Sequence, residues 1–370
     1  MADNISMLPD DVACRILSFL PTQDVVATSL LAKRWLRLWL SVPSLYFDDR
    51  SFLTNKKPYD RFKKFIYAII FTRGAHRPLK SFFLQCRSSK FDISESDLNI
   101  WVELVIKFKL EDLQIKLRVI SELNLRSHRI FTCNSLVILK LAGLKLDVFS
   151  SVDLPLLKTI YLDDIIFPGW QYVVQLLSGC PIVENMHVKF IGSLDDPPYS
   201  NENFKILSKL VRADIREVVE DIPLKAICNV EFLRIDKYTD DVPFFPNLTH
   251  LELICGCGMN WNMVLEMLKK CPKLQTFVIN LRTCYTSAVW TLPNFVPECL
   301  SSQLRKFSIK CCKGTEGELH FVKYIMQNAR VLGAMTIGIW YSIRIERKFE
   351  ILQELSLCPR SSLICELSFK

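Results

Sequence analysis

The segment Leu136-Val137-Ile138-Leu139-Lys140-Leu141 contains the pattern that decides the fold of this 370-residue chain. Its leucines stand at the first, fourth and sixth positions, as L-x-x-L-x-L. Successive side chains of a β-strand point to opposite faces, so Leu139 and Leu141 face one side and Lys140 faces the other. The segment therefore predicts a short strand with one buried and one exposed face.

The same template, with apolar residues replacing some leucines, recurs along most of the chain. Its copies begin at Leu79, Leu110, Leu136, Leu157, Val183, Leu210, Val230, Leu248, Leu274, Leu304 and Leu332. Most spacings lie within or near the roughly 20–29 residues of a leucine-rich repeat. We therefore expect an α/β fold in the form of an irregular leucine-rich-repeat solenoid. The alternative is an ordinary α/β domain, and repetition over this length argues against it.

Helices are predicted between some of the strands. Residues 170–177 and 260–268 have helical patterns, and each is followed by Cys-Pro just before a strand, at Cys180-Pro181 and Cys271-Pro272. Proline stops a helix, so the chain turns back into the sheet there. The asparagine that usually follows the strand is mostly absent, which predicts irregular turns.

Composition narrows the classes of function. Half of the residues are hydrophobic and 23% are charged, which predicts a packed core, and the net charge of +8 is spread along the chain, which favours a solvated basic surface over nucleic-acid binding. Apolar runs are too short to span a bilayer and the N-terminus does not resemble a signal peptide, so we expect no membrane partner and a location in the nucleus and/or cytoplasm. The 14 cysteines are then expected to be buried thiols.

Motifs for catalysis and for ligand binding are not found. The five histidines are scattered, and H-E-x-x-H, G-x-S-x-G, P-loop and G-x-G-x-x-G patterns do not occur. We therefore predict a non-catalytic protein, with no catalytic residues, no cofactor and no metal ligands.

Residues 8–39 form a separate unit, and their pattern of prolines and apolar residues predicts three short helices. Pro9 suits a first helical turn, and the apolar positions that follow lie on one helix face: Val12, Ile16, Phe19 and Leu20. Pro21 ends this helix, Thr22 is expected to cap the next, and residues 32–39 form the third. Three helices in about 40 residues are at the lower limit of a self-sufficient core, which favours a partner that covers part of the apolar surface.

This unit resembles an F-box of the plant type. The similarity lies in Asp3-Asn4-Ile5-Ser6-Met7-Leu8-Pro9-Asp10-Asp11-Val12, Ile16-Leu17-Ser18-Phe19-Leu20-Pro21-Thr22, Thr28-Ser29-Leu30-Leu31-Ala32-Lys33-Arg34-Trp35 and Leu38-Trp39. The resemblance implies docking to the Skp-type adaptor, and through it to the cullin, of a cullin-RING ubiquitin ligase; a helical hairpin with core tryptophans is the alternative. The adaptor-binding residues that it implies are Leu8, Pro9, Ile16, Leu17, Leu20, Pro21, Val25, Leu30 and Trp35.

The C-terminal part resembles the FBD domain that closes many plant F-box/leucine-rich-repeat proteins. The similarity lies in residues 296–300, 322–329, 335–337 and 355–362. We expect a helix at residues 349–355 and a last strand at 363–369, which together cap the repeats. The expected domains are therefore an F-box at 1–45, leucine-rich repeats at 46–290 that begin near 79, and the FBD domain with the last repeats and cap at 291–370.

The resemblance implies a substrate-recognition subunit of an SCF-type ligase, which selects an unknown protein client through its repeats. An interaction scaffold or small-molecule co-receptor without ligase turnover is the alternative. Template positions 3, 5 and 7 are expected to line the exposed concave sheet, where the basic residues in the middle are His187, Lys189, Arg212, Arg216 and Arg234. These residues suggest an acidic or phosphorylated client segment or an anionic ligand, or else a solvated face balanced by Asp214 and Asp236.

Overall fold

The computed structural model describes residues 7–53, 57–74, 79–88, 93–118, 123–126, 128–193, 204–218, 222–236, 241–256, 260–282, 290–291 and 293–370. The first residues of the F-box pattern, Asp3 to Ser6, lie outside these ranges. The chain divides into two compact units, residues 1–204 with 218–220, and residues 205–217 with 221–370.

The first unit combines the short helices of the N-terminus with parallel strands and helices. Its helices are α1 (Asp10–Leu17), α2 (Thr22–Ala27), α3 (Trp35–Leu38), α4 (Pro58–Arg73), α5 (Glu95–Ile106) and α6 (Trp170–Ser178). Its strands are β1 (Ser44–Asp48), β2 (Ser81–Cys86), β3 (Asp112–Leu117), β4 (Asn124–Leu125), β5 (Ile138–Leu146), β6 (Thr159–Phe167) and β7 (Asn185–Ser193). Strands β1, β2, β3, β5, β6 and β7 pair in parallel in this order, and β4 pairs with β5.

The second unit has the same kind of arrangement. Its strands are β8 (Arg212–Val218), β9 (Phe232–Ile235), β10 (His250–Cys255), β11 (Thr276–Leu281), β12 (Lys306–Cys312), β13 (Ala334–Ile339) and β14 (Glu366–Phe369). They also pair in parallel and in sequence order. Its helices are α7 (Trp261–Lys269), α8 (Glu298–Ser302), α9 (Glu316–Asn328) and α10 (Ile345–Ser356).

The repeat template predicted the strands correctly. Every copy from Leu79 to Leu332 is followed by a strand that begins two residues after its first position. In β5 the template residues Leu139 and Leu141 are buried, whereas Ile138 and Lys140 on the other face are partly exposed. The α/β leucine-rich-repeat fold is therefore confirmed. One further strand, β1, precedes the first predicted copy.

A left-handed residue recurs at the eighth template position. The backbone angle φ is positive at Gly143, Asp164, Phe190, Glu217 and Cys311, each seven residues after a template start. A left-handed residue shifts the alternation of side chains by one, so Leu144 and Leu146 point inward after Gly143. Glycine occupies only one of the five positions, which is why the sequence did not reveal this turn.

Some helix predictions need correction. Helix α1 begins at Asp10 with Pro9 as its N-cap, one residue later than expected. The third helix is shorter than predicted, because α-helical structure starts only at Trp35. Helix α6 and helix α7 confirm the predictions before Cys-Pro, and each cysteine thiol donates a hydrogen bond to the carbonyl four residues earlier, at 3.1 Å.

The predicted C-terminal helix and strand are also present. Helix α10 extends from Ile345 to Ser356 and buries Ile351 and Leu355 against the fold. Strand β14 pairs with β13, in the register Met335–Leu367 and Ile337–Phe369. The outer side of this region leaves Ile345 and Phe349 exposed.

Candidate protein-docking surfaces

The N-terminal helices share a small hydrophobic core. Its buried members are Ala13, Cys14, Leu17, Val25, Trp35, Leu38 and Val42, and Trp39 packs against them while remaining partly exposed. The core draws residues from all three helices and from the segment that leads into β1. It therefore fixes the helices relative to one another.

The same helices also leave large apolar side chains in solvent. Phe19 is 80% exposed, Leu30 is 87% exposed and Leu31 is 74% exposed, and Ile16 and Leu20 are also exposed. Single exposed apolar residues are ordinary on protein surfaces, but several of them on one small unit are typical of an interaction site. The exposed apolar side chains of these helices are therefore typical of a surface that a partner protein covers.

The predicted adaptor-binding residues divide into two groups in the structure. Ile16, Leu20 and Leu30 are exposed, Pro9 is exposed, and Leu8 and Pro21 are partly exposed. By contrast, the core members Leu17, Val25 and Trp35 are buried. In this conformation the second group supports the surface from below, since buried side chains hold the helices in place.

Three exposed residues were left out of the predicted contact residues. Met7, Phe19 and Leu31 are all highly exposed and apolar, yet none was among the predicted contact residues. The spacing of Ile16 and Phe19, three residues apart on a helix, was the available signal for Phe19.

Arg34 ties the start of the first helix to the third. Its guanidinium donates to the carboxylate of Asp10, with Nε 3.0 Å from Oδ1, and to the backbone carbonyl of Leu8. These hydrogen bonds position the Leu8-Pro9 segment beside the helices.

The predicted role of Thr22 as a helix cap is wrong. Thr22 is the first residue of α2, and Pro21 occupies the N-cap position without a side-chain hydrogen bond. The Thr22 side chain is buried, and its hydroxyl accepts a hydrogen bond from the backbone N–H of Tyr46 in β1. The hydroxyl therefore joins the helices to the first strand through a partly buried hydrogen bond.

A second candidate surface is the outward face of the sheet, at template positions 3, 5 and 7. In the second unit this face carries a network of ion pairs. Arg216 donates two hydrogen bonds to Asp214, with Nε 2.6 Å from Oδ1 and Nη2 3.0 Å from Oδ2. Arg234 lies between two carboxylates and donates to Asp214 and to Glu252. Two of the predicted basic residues are thus neutralised by their own neighbours.

The other predicted basic residues lie against aromatic rings. In the second unit, the Arg212 guanidinium is 4.1 Å from the ring centre of Phe232, which itself stacks on His250. In the first unit, His187 stacks on Tyr161 with ring centres 4.0 Å apart, and the Lys189 ammonium is 4.2 Å from the ring centre of Phe190. In the second unit, Asp214 joins Arg216 and Arg234, whereas Arg212 contacts Phe232. In the first unit, His187 and Lys189 each contact a different aromatic ring.

Two buried cysteines are unsuited to act as nucleophiles. Burial raises the pKa of the Cys180 thiol and of the Cys299 thiol to about 12. A reactive cysteine requires an accessible thiolate, and these thiols stay protonated at neutral pH. Within the described ranges, no three His, Cys, Asp or Glu side chains are grouped as metal ligands, and no helix there is long and apolar enough to cross a membrane.

Comparison with known families identifies three regions. The F-box domain profile matches residues 5–47, the Leucine Rich Repeat profile matches residues 156–181, and the FBD profile matches residues 292–337. These regions correspond to the helices with the exposed apolar side chains, to β6 with α6, and to the elements from α8 to β13.

Full-length relatives are found in Arabidopsis thaliana. An F-box/FBD/LRR-repeat protein is 29% identical over 426 residues, which covers 99% of this chain and 100% of the relative. An FBD-associated F-box protein is 30% identical over 427 residues, with coverage of 99% and 100%. Both alignments extend from the helices of the N-terminus to the last strand.

Proposed function

This chain belongs to the plant F-box/FBD/LRR-repeat family, and from that premise we propose that it is the substrate-recognition subunit of an SCF-type cullin-RING ubiquitin ligase. The F-box docks the Skp-type adaptor, and the adaptor connects the chain to the cullin. The sheet of the repeats selects a protein client.

The observation that carries this proposal is the exposed apolar surface of the N-terminal helices. Phe19, Leu30 and Leu31 are exposed although Leu17, Val25 and Trp35 beside them form a closed core. Burial of one such side chain by a partner removes apolar area from water and is worth about 1.5–3 kcal/mol. Several of them together therefore provide a substantial driving force for docking.

A non-catalytic role agrees with the protonated thiols and with the division of labour in such ligases. The subunit has to bring two proteins together, and it does so with two binding surfaces. Transfer of ubiquitin then depends on the other subunits of the complex.

The test is affinity purification of the full chain from plant cells treated with a proteasome inhibitor. We expect the adaptor and cullin to co-purify, and a client to accumulate when the gene for this chain is removed. The variant Leu8→Ala/Pro9→Ala should lose the adaptor and cullin while keeping its thermal stability. Adaptor binding by this variant at the level of the unaltered chain would contradict the assigned docking surface.

A second readout separates ligase function from the alternative of a scaffold or co-receptor. If cullin co-purifies but no bound protein changes its level or its ubiquitination on removal of the chain, turnover is not its function.

A further inference from the structure

The first unit carries a basic cluster on its outward face that the predicted set did not include. The cluster consists of Arg87, which directly follows β2, of Lys116 in β3 and of Lys140 in β5. Lys116 and Lys140 lie diagonally on neighbouring parallel strands, since Lys140 is opposite Gln114 and Lys116 is opposite Ala142. Strands in such a sheet are about 4.8 Å apart, so the three positive charges are close together.

The direct neighbours of these lysines in the sheet are neutral. Lys116 has Gln85 on one side and Ala142 on the other, and Lys140 has Gln114 and Tyr161. None of the ion pairs within 4.0 Å found among the described residues involves Arg87, Lys116 or Lys140.

Two carboxylates on the same face accept hydrogen bonds from neutral side chains of their own strands. Asp112 accepts hydrogen bonds from the Gln114 side-chain amide at 3.1 and 3.2 Å. Asp163 accepts a hydrogen bond from the Tyr161 hydroxyl at 3.3 Å. Burial raises the pKa of Asp112, and the Gln114 hydrogen bond and the charge of Lys140 oppose this rise. The positive charge of the cluster is therefore compensated only in part, and without an ion pair.

Repulsion between the positive charges of the cluster contributes to a lowered pKa of Lys116. Burial lowers the pKa of Lys116, and the charges of Lys140 and Arg87 lower it further. A bound anion would relieve this repulsion, because an opposite charge within about 4–6 Å stabilises the charged form of an amine.

The outward face of the second unit differs in this respect. There, Asp214 and Glu252 already hold Arg216 and Arg234, and Glu217 holds Arg282 at 2.6 Å. A guanidinium that is paired with carboxylates attracts a further anion less strongly, because its charge is already largely neutralised. The lysines of the first unit form no such ion pair.

We propose that Arg87, Lys116 and Lys140 bind an acidic segment of the client protein, with anionic oxygens against the two ammonium groups. The ring of Tyr161, which stacks on His187 and lies opposite Lys140 in the sheet, offers an aromatic contact for the residues that flank the acidic groups. The inference rests on the proposed function in that the segment belongs to the client. The anionic oxygens can be those of carboxylates or of phosphate.

The test uses the full chain purified in complex with its adaptor and two fluorescent peptides of the same length, one with six glutamates and one with phosphoserines. We expect both peptides to bind less tightly as the salt concentration increases. The peptide that binds more tightly shows whether carboxylates or phosphates are the preferred anionic groups. The variant Lys116→Gln/Lys140→Gln should bind the tighter peptide about tenfold or more weakly, which corresponds to at least one lost charge-assisted contact.

The matched control is Lys80→Gln/Lys158→Gln, which removes two lysines already paired with Glu111 and Glu184 at 2.9 and 3.0 Å. This control should bind the peptides as the unaltered chain does. Equal weakening in both variants, no binding of either peptide, or equally strong competition by a single-stranded oligonucleotide would each overturn the proposal. Adaptor binding is read separately in every sample, so failure of the F-box assignment is distinguishable from failure of the client surface.

Discussion

The hydroxyl of Thr22 accepts a hydrogen bond from the backbone N–H of Tyr46, with 2.7 Å between the two heavy atoms. Thr22 begins helix α2 of the F-box and Tyr46 lies in β1, the strand that pairs with β2. The helices of the F-box and the first strand are therefore joined by a partly buried polar contact. This contact holds the F-box helices in a defined position relative to β1 and β2.

Replacement of this hydroxyl tests the connection. In Thr22→Val the N–H of Tyr46 loses its acceptor in a partly buried place, which costs about 1 kcal/mol. We expect a lower free energy of unfolding in urea. Thr22→Ser keeps the hydroxyl and should recover most of the loss; equal stability of the valine and serine variants would show that the contact contributes nothing.

The docking surface predicts a difference between two exposed phenylalanines. Phe19→Ser should weaken adaptor binding by tenfold or more, as expected for loss of about 1.5–3 kcal/mol of apolar burial, without lowering the melting temperature. Phe244→Ser is the matched control, because Phe244 is also exposed, at 56%, but lies in the second unit. Binding measured by calorimetry with purified adaptor checks both, and a similar loss in the two variants would argue against a local contact at Phe19.

The repeat register predicts the cost of cavities. Leu139 and Leu251 are fully buried template residues, one in each unit, so Leu139→Ala and Leu251→Ala should each cost about 2–5 kcal/mol. Hydrogen exchange should show the loss of protection mainly in adjacent repeats. Leu156→Ala, at a half-exposed residue, should have little effect; an unchanged melting temperature for both core variants would contradict the register.

The left-handed position of β5 predicts a strict requirement for glycine. Gly143 has a φ of +71°, and a Cβ there would approach the backbone oxygens of Leu117 and Arg118 at 2.8 Å. Gly143→Ala should therefore destabilise the chain by more than about 1 kcal/mol. Gly256→Ala is the control, since a Cβ at Gly256 meets nothing within 4 Å, and thermal unfolding of the two variants should differ clearly. Similar melting temperatures would show that β5 can adjust.

A buried carboxylate predicts pH dependence of stability. Burial raises the pKa of Asp97, but hydrogen bonds from Lys63, Ser94, Tyr59 and Tyr67 outweigh burial and lower this pKa to about 2. Because its pKa is lowered, the charged carboxylate stabilises the folded state at pH values above its ordinary pKa of 3.8. This stabilisation is about 2 kcal/mol, and it is lost as the pH falls through about 2. The stability advantage of the unaltered chain over Asp97→Asn should thus be full at neutral pH and shrink from about pH 4 downward.

Urea unfolding at several pH values measures this advantage. Asp241→Asn removes an exposed carboxylate that is paired with Lys225 at 2.7 Å, and it should change stability little, because exposed ion pairs contribute about 0–1 kcal/mol. An advantage over Asp97→Asn that stays constant down to pH 2 would exclude titration of Asp97 as its cause.

The sequence by itself determined the strands and their faces. Pleating forces alternate residues to opposite sides, so the spacing of Leu136, Leu139 and Leu141 was sufficient to predict which side of β5 is buried. The F-box could likewise be recognised from the sequence, because residues 5–47 match a short pattern in which many residue types are fixed.

Only the tertiary structure decided the properties that depend on neighbours distant in the chain. Leu17 and Leu30 are both F-box leucines, yet packing of the three helices buries the first and leaves the second exposed. Arg234 and Lys140 both occupy the fifth template position, but the adjacent strands give Arg234 two carboxylates and give Lys140 a glutamine and a tyrosine. Charge compensation and burial are set by the residues that the fold brings alongside, and the local pattern of the sequence does not contain them.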